Sequence, residues 1–207
     1  MNGARLAADT TAESAGQKFI AFMLRAALRA TVKRAFQAGL PIERQRQRLL
    51  SATRLTWPPR TVSFETATLA GVPGDRVRCR GDEAASSVIL YLHGGGYTTG
   101  SPRTHRALTG HLTVRCRARL FVPDYRLAPE HPFPAGLDDA VTAYRGLLDE
   151  GVEPGEIVIA GDSAGGGLAV AAALRLRDLG QPRPRAPVRF APLADLAREH
   201  PGVLPRG

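Results

Sequence analysis

The sequence predicts an α/β fold, a mostly parallel sheet flanked by helices, on three observations. Short apolar runs recur at residues 88–92 (VILYL), 119–122 (RLFV) and 156–160 (EIVIA), the pattern of strands covered on both faces. Between the last two, Leu137, Val141, Tyr144 and Leu148 fall at i, i+4, i+7 and i+11, one stripe of a helix laid on such a sheet. After the third run, residues 168–174 are apolar all round, as in a helix buried against strands. Strands alternating with helices in this way are the signature of crossover connections.

In chain order, residues 11–37 place Phe19, Phe22, Met23, Ala26 and Ala30 on one helical stripe with arginines opposite, and Gly39-Leu40-Pro41 stops that helix. Residues 42–53 continue as a second, mostly polar helix. Past Pro58-Pro59, residues 61–69 alternate, with Val62 and Phe64 on one face. Gly71-Val72-Pro73-Gly74-Asp75 then reads as a turn, and Val77 and Cys79 alternate again, which makes a β-hairpin. The three strands and their helices follow. A fourth candidate strand, residues 188–193, is reached through the proline and arginine stretch 181–187, and no internal repeat is present.

The 207 residues, 43% hydrophobic and 23% charged, suit one domain with a real core and exclude wholesale disorder. The net charge is +9, and Lys18 and Lys33 are the only lysines. Much of the excess is local: residues 20–60 hold nine basic side chains against Glu43 alone. Such a stripe can attract phosphates or an anionic surface. It reads instead as a solvated helix face, since single-strand binders also interleave aromatic side chains as stacking platforms, and no nucleic-acid partner is expected. Cys79 and Cys116 cannot build a disulfide framework and have no C-x-x-C neighbour, which fits a reducing compartment. Residues 19–24 are too short an apolar core for a signal peptide, Asp9 and Glu13 precede them, and no run approaches the ~18 apolar residues of a membrane span. A cytoplasmic chain without stable membrane insertion, metal or cofactor is the expectation, and the oligomeric state is left open.

Two motifs carry chemistry. Gly161-Asp162-Ser163-Ala164-Gly165 is a G-x-S-x-G between an apolar strand and a buried helix, the context of a nucleophile elbow. The sharp turn strains the serine backbone, side chains at the flanking glycines would collide with neighbouring strands, and the Ser163 hydroxyl is aimed outward above a helix N-terminus. Alone, the pentapeptide also fits a helix N-cap serine. His93-Gly94-Gly95-Gly96-Tyr97 follows the first parallel strand, and a glycine run lets backbone N–H groups converge on one oxyanion. Alone, it also fits a flexible loop or a phosphate-cradling turn, although the P-loop lysine is absent.

Together the motifs are stronger, each at its proper strand end. With DYRLAPEHPFPA at residues 124–135, HGGGY at 93–97 and GDSAGGGLA at 161–169, the chain resembles the hormone-sensitive-lipase-like carboxylesterases of the α/β-hydrolase superfamily over roughly residues 62–195. The resemblance implies the α/β-hydrolase fold and a small acyl ester as substrate. Ser163 matches the nucleophile; the backbone N–H groups of Gly95, Gly96 and Ala164 match the oxyanion hole. It further implies that His93 and Gly94 shape the loop, and that His93 is not the catalytic base. Asp162 is read as structural beside Gly161 and Gly165. Tyr125, Arg126 and Glu130 look like residues that brace the oxyanion loop, with a plain surface ion pair as the alternative. The organisation so implied is a helical cap segment (1–56) sheltering an acyl pocket, a hydrolase core (57–195) and a divergent tail (196–207).

The departure from the family lies at the C-terminal end, where relatives continue through two more strands carrying the triad acid and histidine. After Ser163 this sequence offers Asp178, Asp195, Glu199 and His200. Asp178 is expected to face away on the helix leaving the elbow, and five residues between Asp195 and His200 leave little chain to return over Ser163. The expectation is a truncated or frameshifted chain lacking the family's acid and histidine. The two functional readings are an ester hydrolase acting through Ser163, and a non-catalytic remnant or ligand-binding module that keeps the acyl pocket.

Overall fold

A computed structural model describes residues 39–53, 56–81 and 85–190. The helix expected at 11–37, the end of the fourth strand at 191–193 and the tail lie outside these residues. Helix α1 (Ile42–Thr53) is polar and buries no residue, as its sequence predicts. It belongs to a compact unit that begins at Pro41.

Six strands form one sheet in the order β1 (Val62–Leu69), β2 (Val72–Cys79), β4 (Arg119–Pro123), β3 (Val88–Leu92), β5 (Ile157–Asp162) and β6 (Ala186–Phe190). The β1–β2 and β2–β4 pairs are antiparallel, and the three other pairs are parallel. Strand β5 starts one residue after the expected run, because Pro154–Glu156 closes a 3₁₀ turn, and it continues through Asp162 to the edge of the site.

Alternation along the strands divides the core into two layers. On one face Leu90, Leu92, Phe121, Ile157 and Ile159 pack against α3 (Ala135–Asp149) and α4 (Ala164–Asp178). On the other, Ile89, Tyr91, Leu120, Val122 and Ala160 pack with Val62 and Val77 of the hairpin and with Leu112 of α2 (Arg106–Cys116). Helix α3 lays down the expected stripe, with Val141 and Tyr144 buried.

Three expectations need correcting. The hairpin turn is Ala70-Gly71, both at positive φ (48° and 86°), and not the stretch from Gly71 to Asp75. Gly74 lies inside β2, where a Cβ would come 2.5 Å from the carbonyl oxygen of Val122. Helix α2 has no apolar stripe and was not anticipated. Its fully buried residues are Thr109, Gly110 and Thr113, with Leu112 partly buried beside them, and the threonine hydroxyls donate to the carbonyls one turn back, of His105 and Thr109, both at 2.9 Å. Leu108 and Val114 meanwhile face outward. Helix α4 is not buried all round: Leu168, Ala169, Ala172 and Leu176 are covered, whereas Leu174 is 45% exposed.

Candidate active site

The sheet order creates the site. The chain passes from β3 to β4 on one side and returns to β5 on the other, so the segments leaving β3 and β5 emerge side by side at their C-terminal ends, where Leu92 pairs with Gly161. That reversal is where open α/β sheets offer a crevice. The segment after β3 is His93–Tyr97, and the segment after β5 is the serine turn.

Ser163 is half-buried and sits at φ 50°, ψ −120°, outside the helix that begins at Ala164. A non-glycine residue at this φ is strained and persists only where its surroundings hold it. They do so through absent side chains: a Cβ at Gly165 would come 2.0 Å from the oxygen of Leu92, and one at Gly161 would come 2.4 Å from the backbone of Gly165. The serine offers no side-chain cap to α4, so the N-cap alternative falls away.

Across from it, Gly95 has φ 134°, and its carbonyl accepts from the Thr99 N–H and hydroxyl, both at 2.9 Å. A Cβ there would strike the Thr99 oxygen at 2.1 Å. No hydrogen bond within the described residues uses the N–H of Gly95, Gly96 or Ala164.

Asp162 joins the two segments. Its Oδ1 accepts from the Gly94 N–H at 2.9 Å and the Tyr91 hydroxyl at 2.8 Å, and lies 3.5 Å from His105 Nε2. Burial opposes the carboxylate, yet its bonds to His105, Tyr91 and Gly94 outweigh that and hold its pKa below the ordinary value. Asp162 thus bonds to the backbone of the glycine loop through Gly94.

His93 is fully buried and its ring stacks on Tyr125, with centroids 4.3 Å apart. Nδ1–H donates to the Gly94 carbonyl at 3.1 Å, and Nε2 has no partner among the described residues. Burial, with His105 nearby, pushes its pKa down to about 3, so the ring is neutral. The Tyr125 hydroxyl donates to the His93 carbonyl at 2.6 Å in the buried interior. Tyr125→Phe leaves that oxygen unpaired, and a loss of about 1–3 kcal/mol in urea unfolding is expected. An unchanged midpoint would show that the bond contributes nothing.

The bracing expected of Arg126 and Glu130 takes a different form. Arg126 pairs with Asp139 at the start of α3. Glu130 accepts two bonds from Arg46 of α1, at 2.8 and 2.7 Å, and the same guanidinium reaches the carbonyls of Thr98 and Ala128. The pairing holds the Glu130 carboxyl down to about 2. Arg46 thus ties α1 to the end of the glycine loop. Sequence reading missed it because Arg46 stood among arginines taken as a solvated face, and it missed His105 because no motif marks that residue.

Of the remaining acids, Asp178 ends α4, fourteen residues and roughly 21 Å from its start, and pairs with Arg177. Asp195, Glu199 and His200 lie outside the described residues.

A family model for the alpha/beta hydrolase fold matches residues 89–204. The chain belongs to the α/β-hydrolase fold family, in its hormone-sensitive-lipase-like branch. An acetyl-hydrolase of Streptomyces hygroscopicus is 46% identical over 154 residues, covering 68% of this chain and 52% of that protein. An esterase of Acinetobacter venetianus is 36% identical, covering 82% and 55%. A crystal structure of an esterase from the bacterial hormone-sensitive lipase family superposes with a TM-score of 0.75 at 38% identity, over 82% of this chain and 57% of that one. The chain thus spans about half the length of these relatives. No described helix is long and apolar enough to cross a membrane.

Proposed function

We propose that this chain carries the nucleophile and the oxyanion hole of a carboxylesterase or lipase-type serine hydrolase acting on small acyl esters. Ser163 Oγ attacks the ester carbonyl carbon as its proton passes to a base not assigned among the described residues. The N–H groups of Gly95, Gly96 and Ala164 stabilise the electron pair that moves onto the carbonyl oxygen, and the adduct collapses to an acyl-serine as the protonated alcohol leaves. The observation that supports this most is the strained Ser163 turn pressed against the glycine loop, with those three N–H groups unclaimed among the described residues. The names of the relatives, acetyl-hydrolase and esterase, support the same reaction class.

In this reading His93, Gly94, Gly161, Asp162 and Gly165 hold the geometry and do not react. No described residue is assigned as base or triad acid, and the reaction so written draws on side chains and backbone, with no role for a metal or cofactor. We assign residues 1–56 as a cap segment from the resemblance of the sequence to the family, and the free thiols Cys79 and Cys116 fit a cytoplasmic location.

The test pairs covalent labelling with turnover. An organophosphonate ester is expected to add to the peptide containing Ser163, and Ser163→Ala is expected to lower hydrolysis of p-nitrophenyl butyrate by at least about 100-fold, the scale on which single catalytic groups act. Equal rates in parent and variant would refute the nucleophile. Labelling without turnover would favour the ligand-binding module.

A further inference from the structure

The opposite end of the sheet holds a second concave feature. Strand β3, five residues and roughly 17 Å long, runs from this feature at Val88 to the glycine loop after Leu92. A cleft of about 60 Å³ is lined there by Arg76 and Arg78 of β2, Arg119 at the start of β4, and Leu147, Glu150 and Val152 around the end of α3. Arg76 pairs with Phe121 in the β2–β4 register, and continuing that register brings Arg78 opposite Arg119. Two like charges facing each other across an antiparallel pair repel.

The carboxylates at hand do not resolve this. Glu150 is taken by Arg76 and Glu65 by Arg78. The α3 C-terminus is closed as well, because the carbonyls of Gly146, Leu147 and Leu148 accept from the N–H groups of Glu150, Val152 and Gly151. Arg119 is left with a buried Nε that has no partner among the described residues. Three guanidiniums against two carboxylates leave one positive charge, that of Arg119, which is among the residues lining the cleft.

We infer that the cleft lined by Arg76, Arg78 and Arg119 is a binding site for a small oxyanion, a carboxylate or a phosphate group, which the Arg119 fork receives. A planar guanidinium matches both groups through paired N–H donors. The cleft is small, on the scale of an oxyanion head. Occupancy removes the Arg78–Arg119 repulsion and satisfies the buried Nε, so the anion stabilises the fold from the end of the sheet remote from Ser163.

The test uses the whole chain and two probes, sodium phosphate and sodium acetate, against sodium chloride at equal ionic strength and pH. At ten times Kd, a saturable rise in Tm of about 3–6 °C over chloride is expected for the parent in at least one of the two. Arg119→Met is expected to lose that excess, and Arg119→Lys, which keeps charge and stem but not the fork, to lose most of it. A response to acetate alone assigns a carboxylate ligand, and one to phosphate assigns a phosphate-bearing ligand. No excess over chloride in the parent, or an undiminished excess in Arg119→Met, overturns the inference. If Arg119→Met does not fold, an undiminished excess in Arg119→Lys overturns it. None of these readouts involves ester turnover, so the outcome is independent of the role given to Ser163.

Discussion

Gly165→Ala is expected to destabilise the domain by at least about 3 kcal/mol, against a helix preference that favours alanine by about 1 kcal/mol. The residue is the second of α4, so propensity alone points to a gain. The added Cβ, however, would come 2.0 Å from the Leu92 oxygen and 2.6 Å from the His93 oxygen. Both are backbone atoms of the strand that pairs with β5 and of the loop that follows it, so neither can turn aside as a side-chain tip would. Relief requires α4 to lift off the sheet, which opens the Ser163 turn and the glycine loop together. Gly155→Ala is the control: a Cβ there meets nothing within 4 Å, and a change within about 0.5 kcal/mol is expected. Urea unfolding followed by circular dichroism gives both values. A Gly165→Ala protein as stable as the parent would mean that the close approach is not a constraint.

Acidification from pH 6 to pH 4 is expected to remove roughly 2.5 kcal/mol of stability through His93. In the folded chain, burial first and the neighbouring His105 second lower its pKa to about 3, against an ordinary 6.5 when unfolded. Above pH 6.5 the ring is neutral in both states and its contribution is complete. Below that, the unfolded chain binds a proton that the folded chain refuses, and stability falls by about 1.4 kcal/mol per pH unit until about pH 3. Asp162 adds its own loss only lower, because its folded pKa lies beneath the ordinary 3.8. The structural consequence falls on the glycine loop, since a charged ring is costly to keep in the fully buried place that His93 occupies. Urea unfolding at pH 7, 6, 5 and 4 measures the slope. His93→Asn, whose amide N–H can replace the Nδ1–H donor to Gly94, is expected to flatten the slope whatever its effect at pH 7. A parent with no slope in this range, or a variant that keeps it, rules out His93 as the source.

The pH dependence and the Gly165 clash bear on one piece of architecture, the contact between the serine turn and the loop after β3. Gly161, Ser163 and Gly165 announced a strained turn because strain of this kind is local: a sharp reversal between a strand and a helix excludes side chains within a few residues of itself. The same holds for Gly95, whose positive φ and contact with Thr99 are settled inside a five-residue turn. Helix α2 failed to announce itself for the opposite reason. Its buried face is made of threonines that satisfy their own hydroxyls, so no apolar period marks it.

By itself the sequence determined the mostly parallel sheet, the serine turn and the glycine loop, since apolar runs, helical stripes and glycine placement follow from steric and burial demands acting over a few residues. Only the tertiary structure decided the partners: Asp162 on Gly94, Arg46 on Glu130 and Thr98, Tyr125 on the His93 carbonyl, and the unpaired Arg119 behind them. Those pairings join residues 32 to 84 positions apart, and which ones meet depends on the order in which the strands lie in the sheet. A polar side chain on a strand or helix has many acceptors open to it in the chain, and burial with one of them is what selects it.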